Sequence, residues 1–237
     1  MTPRQFMNIV ELRTKVISVS TYTLATLHVL WTGETVQTVI ALLLALGVLC
    51  VDMGTTAFNS FYDYMRGVDS RLHNRESDKV LVHQAVAPGH ALVLALLLYL
   101  VAGVLGIVIA WTTSGWVLVA GAASLVVGFV YNGGPLPLSR TPLGELFAGG
   151  FLGSALFLIV VLVYTGGVSW PAFVASLPSA FVIGSVLTVN NTCDIVGDRA
   201  AGRRTLSAIL GRRAGEMLVY AQGFLAFALL FAMVVAG

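Results

Sequence analysis

The sequence predicts an all-α protein, a polytopic bundle of transmembrane helices formed by a single domain over residues 1–237. Hydrophobic residues make up 57% of the chain and charged residues 10%, and the mean hydropathy is +0.90. Soluble proteins are about 45–50% apolar and about 25% charged. Apolar segments recur at 16–31, 36–58, 91–111, 115–130, 146–164, 172–189 and 217–235. Because a membrane span needs roughly 17–25 apolar residues, this pattern predicts about seven spans.

The basic residues indicate how these spans are oriented. Connections 32–35, 112–114 and 165–170 contain no Lys or Arg, so the other connections and the amino terminus hold all 13 of them. By the positive-inside rule, the amino terminus is expected in the cytoplasm of a multi-pass protein of the inner, cytoplasmic membrane. Lys15 is expected at the interface, where its stem extends the short first span. The net charge of +2 gives no indication of a nucleic-acid partner.

Ionisable groups are concentrated in the stretch NNTCDIVGDRAAGRRTL at 190–206, directly after an apolar segment. Asn190, Asp194 and Asp198 recur every four residues, which places them on one helical face with neighbouring Cβ atoms about 6 Å apart. Both carboxylates can then reach one cation. Gly202 breaks the helical pattern and two arginines follow it, so the stretch predicts a site for a metal-bound diphosphate.

An earlier stretch of the chain repeats part of this pattern. Asn59 and Asp63 lie 131 residues before Asn190 and Asp194, and the next carboxylate, Asp69, is expected on a loop. The two clusters follow the second and sixth apolar segments, so both are expected at the cytoplasmic face. The four-span offset indicates parallel repeats, unlike the inverted repeats of many transporters. We therefore expect one shared site, in a central cavity that opens to the cytoplasm.

Two connections are expected at the same face. The connection 67–89 is polar and long enough to fold over the site as a cap, although a solvated loop is the alternative. The connection 131–144, YNGGPLPLSRTPLG, is rich in Gly and Pro and is expected to form a structured turn that carries Arg140.

Three motifs together resemble those of a known family. They are NSFYDYMRGVD at 59–69, the stretch at 190–206, and YNGGPLPL at 131–138 with Glu145 after it. They are similar to motifs of the UbiA superfamily of intramembrane aromatic prenyltransferases, and most closely to its branch of 1,4-dihydroxy-2-naphthoate prenyltransferases in menaquinone synthesis. The usual R-P-K/R-T-L-P element is replaced by RTKVISVS at 13–20. Members usually have nine spans, so the chain is expected to be a shortened member or to lack the last two family helices.

The resemblance implies a helical bundle around a cavity, Mg²⁺ that bridges carboxylates and an isoprenoid diphosphate, and prenyl transfer to an aromatic ring. Mg²⁺ prefers oxygen ligands and commonly bridges to phosphates. The expected metal ligands are Asp63, Asp194 and Asp198, then Asp69, with Asn59 and Asn190 completing the shell or orienting phosphates.

Other side chains are candidates for binding the substrates. The candidate phosphate clamps are Arg66, Lys79, Arg140, Arg203 and Arg204, of which Arg204 ranks first because it lies within the motif. Tyr131 is expected either to face an allylic cation or to lie at the interface. Asp52, two turns before Asn59 on the same face, is expected either to bind the acceptor's hydroxyls or to accept hydrogen bonds from Thr55 or Thr56.

The expected reaction is Mg²⁺-dependent transfer of a polyprenyl group to 1,4-dihydroxy-2-naphthoate, with loss of its carboxylate. Transfer to another acceptor, such as 4-hydroxybenzoate, is the first alternative. An ion-coupled transporter is the second alternative. A transporter is expected to have acidic residues at the midplane of the membrane, whereas the acidic residues of this sequence lie mostly at one face. A CDP-alcohol phosphotransferase is the third, but its D-G-x-x-A-R element is absent from the sequence. The isoprenoid length and the oligomeric state stay open.

Overall fold

The computed structural model describes residues 1–69, 79–84 and 86–236, and this part of the chain is helical with no β-strand. The all-α prediction is therefore confirmed. Seven long apolar helices account for most of the chain: α1 Val16–Trp31, α2 Thr38–Met65, α3 Pro88–Thr112, α4 Trp116–Asn132, α5 Gly144–Thr165, α6 Trp170–Cys193 and α7 Arg212–Ala236.

Five of these helices, α2, α3, α5, α6 and α7, are long and apolar enough to cross a membrane. α1 and α4 are shorter, with 16 and 17 residues. At a rise of about 1.5 Å per residue they are a little short of a hydrocarbon core about 30 Å thick. The seven helices coincide with the seven predicted apolar segments, and the chain is an integral membrane protein.

Short helices lie in the parts of the chain that carry Lys and Arg. They are Pro3–Ile9, the 3₁₀ turn Leu12–Lys15, Val80–His83, the 3₁₀ turn Leu138–Arg140, Ile195–Ala200 and Leu206–Leu210. The first begins with a capping box, in which the Thr2 hydroxyl accepts a hydrogen bond from the Gln5 amide and the Gln5 side chain accepts one from the Thr2 amide. The described short helices thus lie in the same parts of the chain as the predicted site residues.

Two apolar clusters flank the bundle. The larger one is built from residues close to the connections that lack Lys and Arg, including Val29, Ile40, Ile109, Val117, Val163 and Ala172. The smaller one joins the amino-terminal helix to α2 and α3 through Ile9, Ala57, Phe58, Leu81 and Ala91. The larger cluster packs the end of the bundle that lacks Lys and Arg, at the end opposite the basic residues.

Small residues allow α5 and α6 to approach closely. α5 contains a π-helical segment, Gly149–Ala155, between two α-helical parts. Gly149 and Gly153 lie directly against the backbone of α6 at Ala180, so neither has room for a Cβ atom. Glycine at such crossings is typical of helix packing in membranes, where close van der Waals contact replaces the hydrophobic effect.

The connections expected near the site differ in how far they are described. Residues 70–78 and 85 of the connection 67–89, which is the expected cap, lie outside the described residues. The described part of this connection contains one helical turn, Val80–His83. The connection after α4 is structured, as its Gly and Pro content predicted. Gly134 adopts a positive φ of 76°, and the 3₁₀ turn Leu138–Arg140 follows it.

Candidate active site

A cavity of about 1060 Å³ lies among helices α1 to α6 and the segment that follows α6. Its lining is mostly apolar, but one group of polar residues from three separate stretches of sequence lines it as well: Asn59, Asp63, Asp69, Lys79, Tyr131, Asn190, Asp194, Asp198 and Arg203. All four predicted metal-binding carboxylates and both asparagines therefore line one cavity.

The end of α2 places Asp63 and Asp69 at this cavity. Gly67 has a positive φ of 70°, and the amide of Val68 donates to the carbonyl of Asp63 at 2.9 Å. The Gly67 amide donates to the Tyr64 carbonyl at 3.1 Å. This paired bonding is the Schellman arrangement of a helix that ends in a left-handed glycine. Asp63 thus lies in the last turn of α2, and Asp69 lies just beyond the turn.

A second helix ends in the same way. This helix is Ile195–Ala200. Just after it, the Arg203 amide donates to the Asp198 carbonyl at 2.8 Å, and the Gly202 amide donates to the Arg199 carbonyl at 3.1 Å. Gly202 has a positive φ of 69°. The helix break predicted at Gly202 is therefore present, and it brings the Arg203 side chain back toward Asp198.

The two helix ends correspond with a different offset from the one that the sequence suggested. The pairs Asp63 with Asp198 and Gly67 with Gly202 are both 135 residues apart, since 198 minus 63 and 202 minus 67 are equal. The sequence repeat of Asn and Asp had an offset of 131. In helix geometry, therefore, the counterpart of Asp63 is Asp198, and Asp194 corresponds to Asn59.

The continuous helical face predicted for Asn190, Asp194 and Asp198 is interrupted. α6 ends at Cys193, Asp194 lies at the joint, and a separate helix follows. The spacing survives the joint, because the Asp194 amide donates to the Asn190 carbonyl at 3.0 Å and the Asp198 amide to the Asp194 carbonyl at 2.8 Å. All three side chains line the cavity, with Asp194 exposed and Asp198 buried.

Asp198 is held on two sides. Its Oδ1 lies 3.3 Å from Nη1 of Arg203, and its Oδ2 accepts a hydrogen bond of 3.0 Å from the Thr205 hydroxyl. Burial raises the pKa of this carboxyl, and Arg203 and Thr205 oppose that rise. Thr205 also caps the helix Leu206–Leu210 by accepting from the Ala208 amide. The threonine of the motif therefore couples a helix start to a carboxylate.

Two cations line the cavity beside the carboxylates. Arg203 donates from Nη2 to the Ser139 carbonyl at 3.1 Å, while its buried Nε has no acceptor among the residues that the structure describes. Lys79 bonds Glu11 at 2.8 Å and lies 3.8 Å from Asp69. Burial alone would lower the pKa of Lys79, but Glu11 and Asp69 raise it above its ordinary value. Lys79 therefore carries a full positive charge.

Arg66 is placed differently from the phosphate clamp that the sequence predicted. Its Nη1 and Nη2 atoms donate to the carbonyls of Asn132 and Gly134, both at 2.6 Å, and its guanidinium lies 4.8 Å from the centroid of the Tyr62 ring. Arg66 is not among the residues that line the cavity. Its contacts tie the end of α2 to the turn after α4.

Arg140 and Arg204 also lie outside the cavity lining. Arg140 donates from Nη2 to the Ala201 carbonyl at 2.6 Å, and its own carbonyl accepts from the Arg204 amide at 2.9 Å. The Arg204 side chain is exposed. The sequence ranked Arg204 first among the clamps, whereas the structure places its neighbour Arg203 at the cavity.

Asp52 lines the cavity as well, but its partners are not those expected. Its Oδ1 lies 2.6 Å from Nζ of Lys15, and its Oδ2 accepts 2.6 Å from the Ser18 hydroxyl. Thr55 instead bonds the Tyr99 hydroxyl, and Thr56 donates to the main-chain carbonyl of Asp52. Of the two threonines named in the alternative role for Asp52, Thr56 thus bonds its main chain, while the carboxylate pairs with Lys15 and Ser18.

Lys15 was expected to extend its stem toward the membrane interface, whereas the residue is 4% exposed and its side chain points into the bundle to meet Asp52. A lysine next to the start of a short span gave an ambiguous signal. The same residue can snorkel to an interface or pair with a buried acid on the next helix, and only the register between α1 and α2 decides between them.

Tyr131 is half-buried and lines the cavity, which favours the first of its two expected roles. Two neighbouring residues had no predicted role. Glu145 is buried, and its Oε1 accepts 2.8 Å from Nδ2 of Asn191, which lines the cavity. The sequence features that could have indicated this pair are the position of Glu145 at the start of an apolar segment and the asparagine Asn191 directly after Asn190.

The donor set of the site suits Mg²⁺. Within the described part of the chain, no three Asp, Glu, His or Cys side chains gather closely enough to form a metal cluster by themselves. Mg²⁺ seldom needs such a cage, because it keeps several waters and binds one or two carboxylates together with substrate phosphates. Carboxylate and amide oxygens at two helix ends around one cavity fit this mode of binding.

The fold and the site together define a polytopic membrane protein whose large, mostly apolar cavity has carboxylates and cations among its lining residues. The chain matches the model of the UbiA prenyltransferase family over residues 18–237, and it belongs to that family.

Two curated relatives are described as prenyltransferases. The chain is 32% identical over 189 residues to the 1,4-dihydroxy-2-naphthoate octaprenyltransferase of Bacillus subtilis, covering 80% of this chain and 60% of that protein. It is 30% identical to the protein of the same description from Mycobacterium tuberculosis, covering 78% of this chain and 63% of that protein. The chain thus spans somewhat less than two thirds of the length of these relatives.

Solved structures share the fold. A UbiA homolog from Archaeoglobus fulgidus bound to GPP and Mg²⁺ superposes with a TM-score of 0.78 at 15% identity, covering 98% of this chain and 78% of that one. The apo structure of a UbiA homolog from Aeropyrum pernix gives a TM-score of 0.73 at 20% identity, with coverages of 92% and 78%.

Proposed function

We propose that this protein transfers a polyprenyl group from an isoprenoid diphosphate to an aromatic acceptor in a Mg²⁺-dependent reaction, and that the acceptor is 1,4-dihydroxy-2-naphthoate. The observation that supports the reaction is the shared lining of one cavity by the carboxylates of two separate helix ends and by two cations, Lys79 and Arg203. The names of two curated relatives support the acceptor.

Mg²⁺ would be held by Asp63, Asp69, Asp194 and Asp198, with Asn59 and Asn190 beside them. When bound, the ion would neutralise the diphosphate and so stabilise it as a leaving group. The carboxylates bind the metal cation, and the cation in turn binds the diphosphate. Without the cation, acidic residues would repel the diphosphate.

The chain's own cations complete the recognition of the diphosphate. Arg203 offers a guanidinium whose planar fork matches phosphate oxygens, and the paired Lys79 adds a second fixed charge. The apolar remainder of the lining accepts the hydrocarbon chain and excludes water, which would otherwise capture an allylic cation. Tyr131 is one of the aromatic residues of the lining, and its ring would stabilise the developing positive charge.

We assign the amino terminus and the polar end of the cavity to the cytoplasmic side of the cell membrane. The distribution of Lys and Arg supports this orientation, because the connections without them flank the larger apolar cluster. Polyprenyl diphosphate would then enter from the cytoplasmic leaflet.

The test is product analysis with protein reconstituted in lipid nanodiscs. Geranyl, farnesyl and octaprenyl diphosphates are each offered with 1,4-dihydroxy-2-naphthoate or 4-hydroxybenzoate, in Mg²⁺ or in EDTA, and products are identified by mass spectrometry. We expect a prenylated, decarboxylated naphthalene product in the samples with Mg²⁺ and no product in the samples with EDTA. A product formed only from 4-hydroxybenzoate would overturn the acceptor, and the absence of any product would overturn the activity of this chain.

A further inference from the structure

A second polar cluster lines the cavity apart from the helix-end carboxylates. It consists of Lys15 and Ser18 from the start of α1 and of Asp52 and Thr56 from α2, and all four line the cavity. Lys15 Nζ lies 2.6 Å from Asp52 and donates 2.7 Å to the Thr56 hydroxyl, while Ser18 donates to the other carboxylate oxygen at 2.6 Å. The cluster is a connected network between two helices.

The cluster shares a helical face with the candidate metal site. Asp52 and Asp63 are eleven residues apart on α2, which is close to three full turns, so both side chains lie on the same face. Along the helix axis they are separated by about 16 Å. This distance leaves room for a metal-bound diphosphate and an aromatic ring between the two groups.

An ion pair at this depth is difficult to explain by stability alone. The side chains of Lys15 and Asp52 are 5% and 12% exposed. Replacing a buried ion pair by apolar residues is often neutral or stabilising, because the desolvation of two charges offsets their attraction. Ionisable groups within membrane segments commonly mark a ligand pathway or binding site. The pair also lines the cavity, so it can meet a ligand there.

The two reactants divide the cavity between them. The hydrocarbon chain of the donor has no group for an ion pair to bind, and its diphosphate suits the metal site and Arg203. The aromatic acceptor is the reactant whose polar groups remain unmatched. We propose that the Lys15–Asp52 pair binds the oxygen substituents of the acceptor, an inference that rests on the proposed function.

In this arrangement a ring hydroxyl donates to Asp52, and an anionic carboxylate or phenolate oxygen of the acceptor accepts from Lys15. Both residues act as positioning residues, because they hold the ring so that its nucleophilic carbon faces the allylic carbon at the metal site. The site would thus select acidic hydroxy-aromatic acceptors over neutral rings of similar size.

The test compares two charge-free variants with the wild-type protein in nanodiscs. Lys15→Met/Asp52→Leu replaces the pair with apolar side chains, and Lys15→Gln/Asp52→Asn keeps the shape and hydrogen bonding but removes the charges. Tyr22→Phe is the matched control, because the Tyr22 hydroxyl bonds the Ala41 carbonyl between the same two helices without lining the cavity.

Two ligands are titrated separately by calorimetry: 1,4-dihydroxy-2-naphthoate alone, and geranyl thiolodiphosphate with Mg²⁺. We expect both variants to bind the naphthoate at least about tenfold more weakly than wild type and to bind the thiolodiphosphate within about twofold, as one lost charge-assisted hydrogen bond implies. The apparent KM for the acceptor should rise in parallel, and Tyr22→Phe should change neither affinity.

Unchanged binding of the naphthoate in both variants, or an equal loss for both ligands, would overturn the assignment. Binding of the thiolodiphosphate also reports that each variant is folded. Failure of the proposed function is separable, because it would appear as wild-type protein without product from any acceptor, whereas the naphthoate titration tests the pair directly.

Discussion

Asp63 and Asp198 hold the same position in two different helices. Each lies three residues before the C-cap of its helix and four residues before a glycine with left-handed backbone geometry. In both cases the carbonyl of the aspartate accepts the bond that closes the glycine turn, from Val68 in one helix and Arg203 in the other. These two of the carboxylates that line the cavity are therefore fixed by the same backbone arrangement.

The first prediction separates two acids of the second helix end. Asp194→Asn and Asp198→Asn should each lower kcat/KM for the diphosphate by about 100-fold or more, because each removes a negative charge from the proposed metal site. Asp194 is exposed, so its variant should keep the wild-type Tm. Asp198→Asn should also lower the Tm, since it weakens the contacts with Arg203 and Thr205.

Steady-state kinetics and thermal unfolding in nanodiscs check both parts. Glu216→Gln is the control, because this exposed carboxylate pairs with Arg212, four residues earlier on α7. Wild-type turnover by either variant at saturating Mg²⁺ would remove the substituted residue from the proposed metal site.

The second prediction compares adjacent arginines. Arg203→Ala should raise the KM for the diphosphate at least about tenfold and lower kcat, whereas Arg204→Ala should change either constant by less than about twofold. Arg203 lines the cavity beside Asp198, and its buried Nε has no acceptor among the described residues; Arg204 is exposed outside the lining. Arg203→Lys should recover part of the loss, because it restores the charge without the fork.

Steady-state kinetics in which each substrate is varied in turn, with the other held at saturation, measure these constants. A larger effect on the acceptor's KM than on the donor's would assign Arg203 to the other half of the cavity. A large loss in Arg204→Ala together with a small one in Arg203→Ala would restore the ranking that the sequence suggested.

This pair of arginines shows where the sequence stops being informative. Spacing and composition were enough to locate the helices and to bring the Asp and Asn side chains to one cavity, because hydropathy and the four-residue repeat are local properties. The sequence places Arg203 and Arg204 next to each other without distinguishing them. Only the turn at Gly202 decides which guanidinium faces the cavity and which faces outward.

Contacts between residues far apart in the sequence could not be predicted from it either. Lys15 meets Asp52 across 37 residues, and Glu145 meets Asn191 across 46. Nothing in the local pattern joins these partners, since their contact depends on the relative rotation of packed helices. Arg66 and Arg140 were predicted from charge alone, and the carbonyls that they bind become their neighbours only after the turn 131–144 folds.

The third prediction concerns orientation in the membrane. In a variant without native cysteines, Thr113→Cys should react with a membrane-impermeant maleimide only from the extracytoplasmic side, and Gln84→Cys only from the cytoplasmic side. Both positions are exposed and lie in connections at the two ends of α3. Labelling of intact cells and of inverted vesicles gives the answer. Reaction of Thr113→Cys from the cytoplasmic side would reverse the proposed orientation.

The fourth prediction tests the close crossing of α5 and α6. Gly153→Ala should destabilise the protein by about 1–3 kcal/mol, because its new Cβ would meet the Ala180 backbone, which cannot move without displacing α6. Gly150→Ala is the matched control within the same π-helical segment, since nothing lies within 4 Å of its Cβ position. Its effect should be neutral or slightly stabilising, because alanine favours helix more than glycine does.

Thermal unfolding in nanodiscs, read together with kinetics, decides between packing and catalysis at this crossing. Neither glycine is among the residues that line the cavity, so the loss of stability in Gly153→Ala should not be accompanied by a selective change in the KM for either substrate. An equal Tm for the two alanine variants would show that the helices separate easily at Ala180. The π-helical segment would then not be a rigid contact, and the shape of the cavity between α5 and α6 would depend on other packing.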